Sequence, residues 1–175
     1  MAARWQQSFV SSLAFLLVAL GGAAAEEWKQ QRYQTDGFQV EFSGPVDVHE
    51  QQLDDATKSR IVRSTTYVQD GGNDYAYIAI AMLVKDNVNF AAAVKAVRDS
   101  CKSITTDEPI DVPQGLGREL KGTNCGADAA WRLDGHYFSK GRWFYQVFTF
   151  VKMNGTDADN ASAHHFVQSF KLIPN

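Results

Sequence analysis

Apolar and polar residues alternate most strictly at Phe38-Gln39-Val40-Glu41-Phe42, which predicts a half-buried strand. Trp28 to Gln34 reads as a strand before it, and Thr35-Asp36-Gly37 as the turn between the two. Ser43-Gly44-Pro45 closes the second strand, Val46 to Leu53 suits an irregular or edge strand, and Asp54 to Thr57 is polar and turn-like. Arg60 to Gln69 and Tyr75 to Val84 flank Asp70-Gly71-Gly72-Asn73, a hairpin signature. The second of these strands is apolar on both faces, with Ile78, Ile80 and Met82 on one and Tyr75, Tyr77 and Leu83 on the other. A strand without alternation is covered on both sides, so this sheet should carry something on each face.

The densest apolar stretch runs from Asp128 to Lys152 and contains Trp131, Tyr137, Phe138, Trp143, Phe144, Tyr145, Phe148 and Phe150. It predicts a hairpin turning at Ser139-Lys140-Gly141-Arg142, where glycine supplies the positive φ of a tight turn. With Lys140-Gly141 as the loop, Phe138 pairs with Trp143, Tyr137 with Phe144, Leu133 with Phe148 and Trp131 with Phe150. One face then carries Trp131, Leu133, Tyr137, Phe144, Phe148 and Phe150 and should be core. The other, with Arg132, Asp134, His136, Tyr145, Val147 and Thr149, is mixed, and is either partly solvated or covered by a polar layer.

Helical periodicity is clearest over Val88 to Ile104, where Phe90, Val94, Val97, Cys101 and Ile104 form one stripe and Asp86, Asn87 or Asn89 is available as a cap. Thr105 to Gln114, with Pro109 and Pro113, reads as a loop, and Gly117 to Thr123 as a strand. Asp159 or Asn160 would cap a second helix reaching about Phe170, with Ala163, Phe166, Val167 and Phe170 facing inward. The class this predicts is α+β, a mostly antiparallel sheet sandwiched between two main helices.

The first 25 residues stand apart. Arg4, the apolar run Phe9 to Leu20 and Ala23-Ala24-Ala25 form a secretory leader with cleavage expected before Glu26, leaving 26–175 as one domain. The apolar run is short for a membrane span. No cysteine follows it to carry a lipid. The net charge is −3, and −4 once Arg4 leaves with the leader. That excludes the basic footprint of a nucleic-acid binder or of a protein held on an anionic membrane. In an exported chain, Cys101 and Cys125 read as a disulfide, worth about 3 kcal/mol by loop entropy. A periplasmic or secreted location follows.

The Gly37 to Phe42 strand, a mid-chain helix after a long hairpin, Gly141-Arg142-Trp143-Phe144-Tyr145-Gln146, and Gln168-Ser169-Phe170-Lys171-Leu172 together resemble PsbP-like domains. The resemblance covers most of 26–175 and rests on structural motifs. That family includes an extrinsic photosystem II subunit, a Ran-binding protein and many exported bacterial proteins. It implies an α/β/α sandwich and an accessory or protein-binding role without catalytic residues or a cofactor.

Motifs for chemistry are incomplete. His49-Glu50-Gln51-Gln52-Leu53 lacks the second histidine of HExxH. Gly115-Leu116-Gly117-Arg118-Glu119-Leu120 lacks the third glycine of a dinucleotide loop. Asn154, Asp157 and Asp159 miss the EF-hand spacing and suit helix capping. His164 and His165 point about 100° apart on a helix and do not chelate one ion together. Asn154-Gly155-Thr156 and Asn160-Ala161-Ser162 are glycosylation sequons, relevant only in a eukaryotic secretory pathway. The polar constellation that remains is Arg132, Asp134, His136, Tyr145 and Thr149, a candidate site for a small anion or a partner carboxylate, with a partly covered, salt-bridged sheet face as the plain alternative. The expected roles are, in order, an exported accessory or protein-binding domain, a small-ligand carrier on that face, and a hydrolase whose groups meet only in the fold.

Overall fold

The computed structural model describes residues 27–173; the leader and its cleavage before Glu26 lie outside them. Among the described residues, ten strands, three α-helices and one 3-10 turn (Gln34–Asp36) follow one another. They are β1 (Lys29–Tyr33), β2 (Phe38–Phe42), β3 (Asp47–Glu50), α1 (Asp55–Lys58), β4 (Ile61–Asp70), β5 (Tyr75–Val84), α2 (Phe90–Arg98), β6 (Cys101–Ile110), β7 (Leu116–Cys125), β8 (Trp131–Lys140), β9 (Trp143–Lys152), α3 (Asp157–Ser169) and β10 (Lys171–Leu172). Seven strands form one antiparallel sheet in the order β3-β4-β5-β9-β8-β7-β6, and β1-β2-β10 form a second. The expected sheet sandwiched between two main helices is therefore corrected. The described residues are mostly antiparallel strand with three short α-helices, and the large sheet is faced by a second sheet together with α3 on one side and by the nine-residue α2 on the other.

The correction has a local cause. The apolar stripe from Val88 to Ile104 is helical only as far as Arg98, with Asn89 capping the Ala92 amide. Asp99 and Ser100 end it, and the β-branched Ile104, Thr105 and Thr106 go into β6 instead. Cys101 is disulfide-bonded to Cys125 directly opposite it on β7, which fixes residue 101 in the sheet. The segment expected as a loop, Thr105 to Gln114, is strand up to Ile110; Pro109 is tolerated there because β6 is the sheet edge. Asp54 to Thr57 gives a single helical turn in place of a bare turn.

The main core lies between the two sheets. Phe38, Val40 and Phe42 of β2 meet Tyr67, Tyr77, Ala79, Tyr145 and Val147 of the large sheet, closed by Ala163, Phe166, Val167 and Phe170 from α3 and its end. The inward set expected for α3 is buried, but its cap is Thr156, not Asp159 or Asn160. The Thr156 hydroxyl accepts from the Asp159 amide while the Asp159 carboxylate accepts from the Thr156 amide.

The hairpin loop is Gly141-Arg142, since Lys140 pairs with Trp143. Leu133 therefore faces Phe150 rather than Phe148, and His136 faces Val147. This moves each partner by two residues, and because side chains alternate with a period of two, the division of residues between faces survives. The mixed face is the better buried one: Tyr145, Val147 and Thr149 are inaccessible or nearly so, while Phe148 and Phe150 on the apolar face are only half-buried. A second, smaller cluster of Val94, Leu120, Tyr137 and Phe144 joins α2 to that apolar face.

Candidate functional site

The candidate residues on the mixed face separate into groups. Asp134 and Thr149 are cross-strand partners, and the Thr149 hydroxyl donates to the Asp134 carbonyl over 3.4 Å. Arg132 is occupied structurally: Nη2 donates to the carbonyls of Lys152 and Gly155 at 3.1 and 2.9 Å and fastens the β9–α3 connection. Tyr145 faces Phe138, two pairs along from His136, and its ring lies among Phe38, Trp143 and Phe170. Burial raises the Tyr145 hydroxyl pKa, so this group stays protonated.

β7 brings further residues to Asp134 and His136. Lys121 pairs with Asp134 and Glu119 with His136, so both β7 side chains stand on the face that α3 partly covers. Lys121 Nζ lies 3.0 Å from Glu119 Oε1 and 3.8 Å from Asp134 Oδ2. His164 of α3 brings Nδ1 to 3.2 Å from the same Asp134 oxygen. His136 Nε2 is 4.0 Å from Glu119 Oε1, beyond hydrogen-bond reach. The result is a row of charge across β7 and β8, bordering a cleft of about 370 Å³ that Thr105, Asn160 and His164 help to line.

Burial sets the electrostatics. It lowers the His136 pKa against the pull of Glu119 and Asp134, so the imidazole is neutral at pH 7. Burial by itself would lower Lys121 too, but the bond to Glu119 and the nearby Asp134 carboxylate more than reverse this and hold the ammonium charged. Three polar atoms along the row are buried without a protein partner: Asp134 Oδ1, His136 Nε2 and Arg132 Nε. With Glu119 and Asp134 on either side of Lys121, the row suits a partner carrying donors and positive charge better than a small anion.

The alternating charges of Glu119 and Lys121 were visible in the sequence, but joining them to Asp134 required the β7–β8 register. The two adjacent histidines of α3 diverge. His164 turns to Asp134, whereas His165 lies 2.7 Å from Glu41 and against the Trp28 ring. Among the described residues, no group of three or more His, Cys, Asp or Glu is placed to hold a metal ion, and no helix is long and apolar enough to cross a membrane.

No protein-family model matches the sequence, and no curated protein matches it. Among solved structures the fold is similar to that of cyanobacterial PsbP (CyanoP) from Synechocystis sp. PCC 6803, with a TM-score of 0.54 over 89% of this chain and 98% of that one, at 11% identity. Likeness at that identity speaks to fold, and it supports a PsbP-like fold for this chain.

Proposed function

We propose that this protein is an exported accessory domain that acts by binding another protein. The PsbP-like fold supports the reading, and the disulfide suits a chain that folds in an oxidising compartment, periplasmic or secreted. In this reading residues 1–25 are the leader and 26–175 the working domain. The observation that carries it is the charged row of Glu119, Lys121 and Asp134, with His164 standing over Asp134 and still partly open to solvent. The row is open to solvent at Lys121 and His164, where a docked surface can meet it with charge-assisted hydrogen bonds. A row of fixed charges also selects the partner more than it adds raw affinity.

The test is recovery of the native protein from its exported fraction by cross-linking and intact-complex mass spectrometry. The expected result is a chain beginning at Glu26 with one reproducible protein partner. Lys121→Glu and Asp134→Asn should abolish that complex while circular dichroism stays native. A partner-free protein, or a complex indifferent to both substitutions, overturns the proposal.

A further inference from the structure

On the opposite face of the large sheet, a trough of about 730 Å³ runs beside α2. Its walls are apolar: Ala93 and Val97 from α2, and Leu133, Phe144, Phe148 and Phe150 from β8 and β9. Protein interiors leave few voids larger than one water molecule, whereas pockets for small ligands span roughly 300–1,000 Å³ and are mainly apolar. From Phe144 to Phe150 the strand rises about 20 Å, which gives the trough the length of an extended alkyl chain. Charge is confined to one end, where Arg60 and Asp86 are exposed and their side chains have no hydrogen bond or ion pair among the described residues. In the floor, Tyr137 is fully buried and its hydroxyl has no partner. That hydroxyl lies over Gly135, within 2.9 Å of where a Cβ would stand.

We propose that this trough binds a single-chain amphiphile with a zwitterionic head, of the lysophosphatidylcholine type. The chain lies along Val97, Phe148 and Phe150, removing those half-buried surfaces from water. The head meets Arg60 through its phosphate and Asp86 through its ammonium, a match of opposite charges that neither a fatty acid nor an alcohol provides. The site is on the other side of the sheet from the charged row, so it stands or falls independently of the proposed protein partner.

Isothermal titration of the leaderless domain with lauroyl lysophosphatidylcholine below its critical micelle concentration tests this, with laurate and dodecanol as the comparison heads. Saturable one-to-one binding is expected, at least tenfold weaker for either comparison compound. Val97→Trp fills the trough and should remove binding; Ala93→Phe serves the same purpose if the first variant does not fold. Arg60→Ala and Asp86→Ala should each weaken binding severalfold. Absence of saturable binding, or binding unchanged in a folded trough-filling variant, overturns the proposal. Laurate or dodecanol binding as tightly as the lysophospholipid overturns the choice of head.

Discussion

Cys101 and Cys125 stand directly opposite one another on β6 and β7, and the bridge between them begins three residues after the end of α2. Gly122 leaves room for it, since a Cβ there would come within 2.9 Å of Cys101 Sγ. Beside the bridge, Arg98 at the C-terminal end of α2 pairs with Asp107 of β6, which also takes Arg118 of β7. The disulfide therefore anchors one end of α2 as well as the sheet edge. Reduction, or Cys125→Ser, should lower unfolding free energy by about 2–4 kcal/mol in denaturant titrations. Amide exchange should accelerate first in residues 90–98. An intact mass without the loss of two hydrogens under non-reducing conditions would contradict the bridge itself.

Asp36 is buried in the turn that leads into β2, beneath two side chains of β4: Arg63 pairs with its carboxylate and the Tyr67 hydroxyl donates to it. Arg63 also lies over the Trp143 ring, 5.6 Å from its centre. These contacts join the small sheet to the large one. The two partners are not equivalent, because Arg63 is partly exposed and Asp36 is not. Arg63→Ala leaves a buried carboxylate with only Tyr67 and should cost about 3–5 kcal/mol. Asp36→Asn keeps the shape, releases Arg63 toward water and should cost less. Thermal unfolding of the two variants side by side checks the order; equal losses would mean that the charge on Asp36 is solvated.

Gly135 marks a packing limit. An alanine Cβ there would sit 2.8 Å from Phe148 Cβ and 2.9 Å from the Tyr137 hydroxyl, neither of which yields without moving a strand or a buried ring. Gly135→Ala should destabilise by about 1–3 kcal/mol through overpacking. Gly72, at positive φ in an open turn, has nothing within 4 Å, so an alanine there meets only backbone strain, and the loss should be about 1 kcal/mol. Denaturant midpoints of the two variants distinguish crowding from strain.

The strands were legible because their signals are local: the alternation of β2, the Asp70 to Asn73 turn, and the apolar density of β8 and β9. Which side of the 128–152 hairpin each residue occupies was also legible, since a two-residue change in pairing leaves the faces unaltered. What misled was the α2 stripe. Cys101 and Ile104 fall at helical spacing from Phe90, yet a covalent bond and an edge strand hold them extended. The charged row was half legible. Asp134 and His136 were found from their own strand, whereas Glu119, Lys121 and His164 reach them by pairing and packing that span 13 to 30 positions in sequence. Tyr145 shares their face but belongs with the aromatic core around Phe38, which only tertiary packing reveals.

His136 makes stability depend on pH. It is nearly buried, and facing it are Glu119 and Lys121 from β7, Asp134 from its own strand and His164 from α3, with the Phe138 ring edge-on. Burial wins over the two carboxylates and lowers its pKa in the fold. The unfolded chain, where histidine titrates near about 6.5, then binds the proton more readily than the native state. By linkage, the stability due to neutral His136 is fully present above that pH and is lost as pH falls below it. Asp54 and Asp159, whose pKa values are lowered chiefly by backbone hydrogen bonds from Thr57 and Thr156, act in the same direction but in the carboxylate range, below about pH 4. The histidine contribution can therefore be measured alone between pH 7 and 5. The native protein should lose unfolding free energy across that interval, and His136→Gln should flatten the slope while leaving the loss below pH 4 in place. A slope unchanged in His136→Gln would place the titration on another histidine and refute the assignment.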